Sequence, residues 1–568
     1  MHSVKRDVLH VVAAPVFGET YSTAEVARGR AIDAWRHHVR GIWGDVRFTI
    51  ENADFRRGAV RSGRLVRQQP FGLWPAGMCG WGPVFDVEQP PVDHVFVKTT
   101  GSQAAAAARI GARLAGRKLG ELTERLRSCF RRVEPFVQAR KYVRAVTSEM
   151  PKRNGWTVAE HIGDRTPNRT QRLLNRAVWD EAGAMAEVRR FAVSGLEEAA
   201  RKAGRRRGKL VIGALDETGQ QKKGEATAGV KRQHMGCAGR VENGINTVHL
   251  SYVRERVGHA LIGFRQWIPS EHITDPVTSL RMALPLDLTF RTKGQLAIDI
   301  CTTVAADGIR PDFYCGDEVY GNCPELRTHF EANQQAYVLR VAKNFRITLP
   351  SGTVLSCDHA VKTLLQGQKH KRRWELRSAG KGSKGDRWYA WAWIATTSPR
   401  HYLLIRKHLH TNELAFHYYC YVPEGELLTK ARLIRAAGLR WPVEEGFEFG
   451  KDCFGLDQSQ VRLYTAITRH TVLVCAALAV CAVTAALLRD RTDSQVSEPL
   501  HPDQPPPADP GLIPLTIPEI KHLIADTTPR PPEHTTHWVN WRRTHQARSR
   551  WFHKRARLAS NIEITQVS

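Results

Sequence analysis

The apolar run in KLVIGALDETG (209–219) reads as a buried strand that delivers Asp216 and Glu217 just ahead of a glycine. A strand end of this kind holds a side chain rigidly at a sheet edge, where metal ligands are often placed. Further on, 247–253 and 258–268 read as two more strands, joined by the charged turn Arg254-Glu255-Arg256 and stopped by Pro269. Leu296, Ile300 and Val304 form one stripe of a helix over 292–307, which Gly308 ends. A short apolar strand over 312–315 then runs into Gly316-Asp317-Glu318.

Strand, strand, strand, helix, strand, with an acid closing the first and fourth strands, is the ribonuclease-H-like order. If those two strands are parallel neighbours, Asp216 and Asp317 adjoin. Two such carboxylates repel, and a divalent cation is the natural compensation.

Upstream, 106–207 is helical in pattern, with Leu119, Leu122, Leu126 and Phe130 at helical spacing. Thr157 is placed to cap one short helix, and Thr166-Pro167 to open another carrying Arg169, Arg172, Asn175 and Arg176. Two readings stand: a helix-turn-helix presenting a DNA-reading helix, or a small bundle with a solvated basic face. A longer helix over 180–203 leads into Arg205-Arg206-Arg207. Residues 1–105, with Trp35, Trp43, Trp74, Trp81 and Pro90-Pro91, form an N-terminal extension of undecided character.

After the core's first part (208–320), 321–430 reads as a mainly β insertion, with strand-like runs at 336–341, 373–377, 388–395 and 416–422. Gly380, Gly382 and Gly385 spell a dinucleotide fingerprint, but no helix follows, so a hairpin is expected. The core's second part (431–490) contains RWPVEEGFEFGK (440–451). Pro442 suits a first helical turn, placing Glu444 at a helix N-terminus, where the dipole favours the ionised carboxylate. Arg440 and Lys451 are positioned to meet phosphate; the same stretch also reads as an ordinary amphipathic helix with Val443, Phe447 and Phe454 buried. The uncharged run 471–488 is long enough for a membrane span. Being rich in Ala, Val, Cys and Thr, it reads instead as a helix buried inside the protein, and no membrane partner is expected. The tail, 491–568, joins a Pro-rich linker to a segment mixing Trp538, Trp541 and Trp551 with arginines, suited to nucleic acid or to docking as a helix.

A net charge of +28 favours a polyanionic partner, and double-stranded DNA is the expected one. Eleven cysteines without a CxxC pair or Cys/His cluster argue against a zinc ribbon or disulfide scaffold and for a reducing compartment. The first residues, 1–11, are polar and mixed, so a cytoplasmic, nucleoid-associated location is expected.

LDETGQQKKG around Asp216, RQHMGCAGRVENG at 232–244, GDEVYG around Asp317 and RWPVEEGFEFGKDCFGLDQ at 440–458 carry a further signal. With KRNGWTVAEHIGDRTPNRTQRLLNRAVWD (152–180), they resemble bacterial insertion-sequence transposases with a DDE catalytic core, in particular the IS701-type family of the IS4-like group. The resemblance covers about 117–557. It implies that Asp216, Asp317 and Glu444 are catalytic metal ligands, holding two Mg²⁺ ions for which Mn²⁺ can substitute. It also implies Mg²⁺-dependent cleavage and strand transfer at element ends by a homodimer. Arg440, Glu444 and Lys451 match the group's spacing near the glutamate, whereas Ala437 stands where the group has tyrosine; Glu445 is the competing glutamate. The alternatives are a catalytically inactive or domesticated DNA-binding protein, and a nuclease with no transfer step.

Overall fold

The computed structural model describes residues 48–51, 64–67 and 100–566, apart from 165, 205–209, 367–372, 383–384, 412 and 526–531. The expectations for the N-terminal tryptophans, Pro90-Pro91 and Arg205-Arg206-Arg207 lie outside these residues. The chain divides into two units, 1–95 and 96–568. In the first, β1 (Phe48–Glu51) pairs antiparallel with β2 (Arg64–Arg67).

The second unit opens with α1 (Thr100–Arg125), α2 (Val133–Thr147), α3 (Gly155–His161), α4 (Asn168–Asn175) and α5 (Glu181–Lys202). Helix α1 takes in 100–105, a stretch expected to belong to the N-terminal extension. Asn154, not Thr157, caps α3; Thr157 completes the capping box from the third helical position. Asp180 caps α5 through the Gly183 N–H. Phe130 and Trp179 stack with ring centroids 4.9 Å apart, closing the helical segment on itself.

A ten-stranded mixed sheet follows. Its first strands are β3 (Val211–Gln221), β4 (Lys231–Met235), β5 (Arg240–Arg254) and β6 (Gly258–Gln266). Helix α6 (Lys293–Ala306), started by a Thr292–Gln295 capping box, leads to β7 (Phe313–Gly316). The short α7 (Glu318–Gly321) and α8 (Pro324–Ala332) lead to β8 (Tyr337–Val341). The order β6-β5-β3-β7-β8, with β3, β7 and β8 parallel, is compatible with a ribonuclease-H-like core. Strand β3 does not end at Asp216 as expected: antiparallel β5 pairs with it as far as Gln221, and only the parallel pairing with β7 stops, at Ala214–Cys315. Strand β4, absent from the sequence reading, makes a hairpin with β5.

Strand β8 falls within 321–430 but lies in the core sheet beside β7. Beyond it, β9 (Arg346–Thr348), β10 (Val354–Ser356) and α9 (Cys357–Leu365) pack a small separate core. Then β11 (Glu375–Gly382), β12 (Gly385–Ala395), β13 (His401–Lys407) and β14 (Leu414–Tyr421) continue the same sheet, β14 pairing with β8. Gly382 pairs with Gly385 in the β11–β12 hairpin, so the glycine fingerprint is a hairpin as expected. Trp391 is buried and Trp393 stacks on Tyr402 at 4.6 Å, whereas Trp388 is exposed.

The chain closes with α10 (Lys430–Gly438), α11 (Pro442–Phe454), α12 (Tyr464–Thr492), α13 (Ile517–Ile524) and α14 (Pro532–Gln566). Helix α12 has the length and apolarity of a membrane span, but 89% of its most apolar window is buried inside the protein. It is the helix around which α1, α5 and the sheet pack, which explains why it is apolar on every side. In α14 the buried Arg543 donates to Ile513 O and Thr492 O, and Arg555 lies over Trp551. Arg543, and Arg555 through Gln504 O at 3.2 Å, dock the helix, while the Arg555–Trp551 contact lies within it.

Candidate active site

Three elements bring acids to one place. Strand β3 carries Asp216, the turn after β7 carries Asp317, and the first turn of α11 carries Glu444. The α7 turn is fixed by close approach: a Cβ at Gly321 would lie 1.8 Å from Arg340 O of β8, so only glycine lets it pack there. Asp317 caps that turn, its Oδ1 accepting from Val319 N at 2.9 Å. Helix α11 begins with Pro442 at its first position, as its sequence predicts, and ends at Gly455 in the left-handed conformation. Val443, Phe447 and Phe454 are buried, and Phe447 meets the ring of His249 edge-on, 5.3 Å between centroids. His249 sits directly across β5 from Asp216, so α11 covers the face of the sheet that Asp216 occupies.

Arg440 joins two of the acids. Its Nη1 lies 2.7 Å from Asp216 Oδ2, and its Nη2 pairs with Glu444 Oε1. Burial works against the guanidinium, yet the carboxylates of Asp216, Glu444 and Asp317 raise its pKa. The expected phosphate clamp is thus an internal counter-ion here. Burial pushes the Asp216 carboxyl up to about 7, with Arg440 opposing and Asp317 adding to the rise. Asp317 is also raised, by burial first and then by the charge of Glu217. Glu445 points elsewhere: its Oε2 lies 3.4 Å from His259 Nε2, and that contact lowers its pKa.

Glu217, which the sequence reading set aside in favour of Asp216, is held on the other side of β3. Lys293 Nζ lies 2.5 Å from its Oε1, and the fully buried Tyr320 hydroxyl donates to its Oε2 at 3.1 Å. Lys293 and Tyr320 were missed. Their signals were the Thr292–Gln295 capping box, which sets Lys293 on the first turn of α6, and the tyrosine of GDEVYG.

Lys451 is apart from this pairing. It lines a small cavity with Thr218, Gln220, Thr247, His249 and Asp457, and its ammonium makes no hydrogen bond or ion pair among the described residues. The His249 imidazole there is pushed down to about 3 by burial and by Lys451. Arg169, Arg172, Asn175 and Arg176 are on or just after α4, away from the acids. Thr170, Leu173 and Leu174 are buried while Arg169, Arg172 and Arg176 are exposed, giving the basic face common to both readings of this helix.

The donor chemistry suits a hard divalent cation: carboxylate oxygens, two of them on buried, mutually repelling acids. As they stand, no three His, Cys, Asp or Glu side chains among the described residues converge closely enough to hold a metal. Arg440, between Asp216 and Glu444, supplies the positive charge instead.

The model of the DDE superfamily endonuclease family matches residues 125–381. The match supports a DDE transposase-like family. It implies a nuclease- or transposase-type enzyme with DNA as substrate. The DDE match includes Asp216 and Asp317 and ends before Glu444. No curated protein matches the chain.

Proposed function

We propose that the protein is an insertion-sequence transposase of the IS701 type, with a ribonuclease-H-like core, that cuts DNA at the ends of its element and joins it to a target. The observation that carries this reading is the Arg440 guanidinium shared by Asp216 and Glu444, acids from opposite ends of the core that meet beside Asp317.

In this reading Asp216, Asp317 and Glu444 hold Mg²⁺, two ions in all, with Mn²⁺ an accepted substitute. The bound ions supply activation of the attacking oxygen and stabilisation of the departing one. Burial keeps Asp216 and Asp317 rigid and poorly solvated, so they gain from a cation. Arg440 neutralises the acids in the metal-free protein and turns toward DNA phosphate when Glu444 is released. Lys451, without an ion pair, is available to a phosphate beside the acids. Lys293 and Tyr320 hold the Glu217 carboxylate, whose charge still adds to the burial that raises Asp317, so that it faces them and not a metal. Chemically, a water oxygen bonds to phosphorus and the P–O3′ bond breaks. The freed 3′-hydroxyl then attacks a target phosphorus, displacing another 3′ oxygen. The arginine face of α4 binds the ends, and two copies pair them.

A Mg²⁺-dependent cleavage and joining assay on DNA carrying the element's own ends tests this. Asp216→Asn and Asp317→Asn are each expected to lower cleavage by on the order of 10⁴-fold while DNA binding stays near wild type. That no ligand group converges among the described residues favours one other reading, a domesticated DNA-binding protein. Binding without cutting in Mg²⁺ or Mn²⁺ would establish it.

A further inference from the structure

Beside the acids, the same sheet carries a row of arginines and rings that the cutting chemistry does not use. Glu318 follows Asp317 in sequence and lies 2.9 Å from Arg340 Nη2 of β8. The Arg340 guanidinium lies over the Phe416 ring of β14, 3.7 Å from its centroid. Arg406 of β13 lies over the same ring at 4.3 Å and over Tyr389 of β12 at 4.4 Å. Direct contacts thus lead from the residue next to Asp317 across β8, β14, β13 and β12. The strand ends agree. Strand β8 runs parallel to β7, and β13 runs parallel to β8 through two antiparallel steps. Arg340 and Arg406 each stand one residue short of the C-terminal end of their strand, the end at which β7 delivers Asp317.

These cations have little to balance them. The half-buried Arg406 side chain makes no hydrogen bond or ion pair among the described residues. Its Nε alone is buried without an acceptor, which leaves the Nη edge to solvent. Arg340 Nε is buried without an acceptor in the same way. Arg387, two residues before Tyr389, donates to the carbonyls of Ala379, Gly380 and Gly438 and to no carboxylate. Burial lowers its pKa, and the charge of Arg406 lowers it further. Glu318 is therefore the one carboxylate paired with these three guanidiniums among the described residues. The row also adjoins the arginine of the acidic site. Burial raises the Tyr418 phenol, while the charges of Arg406, Arg440 and Arg340 together oppose the rise. Ring contacts stabilise a guanidinium and hold it in place. They supply no negative charge, however, and an N–H without an acceptor costs stability. Such a cost is kept where a ligand needs the group.

We propose that Arg406, with Arg340 and Arg387 beside it, seats a backbone phosphate of the DNA strand that passes from the acids onto the β-rich extension. The proposal rests on the DNA-cutting reading of the acidic cluster. The phosphate meets the Nη edge of Arg406 and supplies the charge the row lacks. Tyr389 and Phe416 fix the guanidinium beforehand, so little side-chain freedom is lost on binding.

The test compares full-length wild type with Arg406→Met and Arg406→Lys, binding duplex DNA that carries the element's ends, without divalent cation so that nothing is cut. Arg406→Met is expected to lower the slope of log K against log salt by about 1, and Arg406→Lys to keep it. Without DNA, Arg406→Met is expected to melt no lower than wild type, because its stem still packs on the rings and the unpaired charge is gone. Arg406→Gln, which keeps a polar head, is expected to repeat the loss of slope. Neutral methylphosphonates placed singly along the strand locate the contact: one position is expected to weaken wild type several-fold and leave Arg406→Met unaffected. An unchanged slope in Arg406→Met and Arg406→Gln, with the wild-type methylphosphonate profile, overturns the proposal even if the protein cuts DNA normally. A reduced slope in a protein that never cuts keeps the phosphate seat and removes the catalytic reading. Failure of the wild type to bind duplex DNA removes both.

Discussion

Arg440 decides the electrostatics of the site, because it is the only cation paired with Asp216 among the described residues. Even so, burial leaves the Asp216 carboxyl up at about 7, well above the ordinary aspartate range near 3.9. A raised carboxyl stabilises the fold in its protonated form. That contribution is complete below about pH 4 and is lost as pH rises through about 7, at no more than about 1.4 kcal/mol per pH unit. Metal-free wild type is therefore expected to lose melting temperature between pH 5 and pH 8 relative to Asp216→Asn. A difference between the two that does not change with pH would contradict the buried state of this acid. At this scale Asp317 after a strand and Glu444 at a helix start were legible, and so was Asp216 at the end of an apolar run, although its strand continues to Gln221. Their partners were not. Arg440 resembles a phosphate ligand in sequence because nothing local shows that Asp216 will lie 2.7 Å from it. Lys293 and Tyr320 reach Glu217 only through the placement of α6 and α7.

Between elements, α5 packs closely on α12. A Cβ at Gly195 would lie 2.4 Å from Val483 Cγ1, so Gly195→Ala is expected to destabilise by about 1–3 kcal/mol through overpacking. Val483→Ala in the same chain is expected to recover most of it, as measured by urea denaturation. At the other end, Glu149 holds α13 through Lys521 and His522, each at 2.7 Å. Burial opposes its charge, but these partners lower its pKa to about 2. Its support is present above the unfolded glutamate range near 4.3 and is lost as pH falls toward 2. Hydrogen exchange in α13 is expected to quicken in Glu149→Gln at neutral pH; unchanged exchange would show that the pairing carries no load. Long apolar elements were readable, α6 from its Leu296, Ile300 and Val304 stripe and α12 from its uncharged length. Strand β4 was not, because KRQHM lacks apolar alternation and is held by backbone pairing and Met235 alone. The run of β3 past Asp216 was hidden for the same reason: polar Gln220 and Gln221 stay in the strand because β5 pairs with them.

Within 96–568, helices, most of the sheet and the C-terminal tail share one large core, with smaller clusters beside it. The link between the helical segment and the sheet is polar as well as apolar, as in the Tyr252 hydroxyl of β5 donating to Glu197 Oε1 of α5 at 2.7 Å. Arginines of α4 and acids at the sheet therefore belong to one compact unit, so on the proposed reading DNA bound at the first reaches the second without a flexible linker. The sequence pattern suggested separate segments because Pro and Gly breaks mark turns, whether or not the chain changes body there. The central claim is that Glu444, from beyond the β-rich extension, completes the acidic site begun by Asp216 and Asp317. Its most direct test is Mg²⁺-dependent cleavage of element-end DNA by Glu444→Gln beside Glu445→Gln. The account predicts that Glu444→Gln binds DNA and does not cut it, while Glu445→Gln, whose carboxylate pairs with His259, cuts within a few-fold of wild type. Normal cutting by Glu444→Gln, with loss in Glu445→Gln, would contradict it.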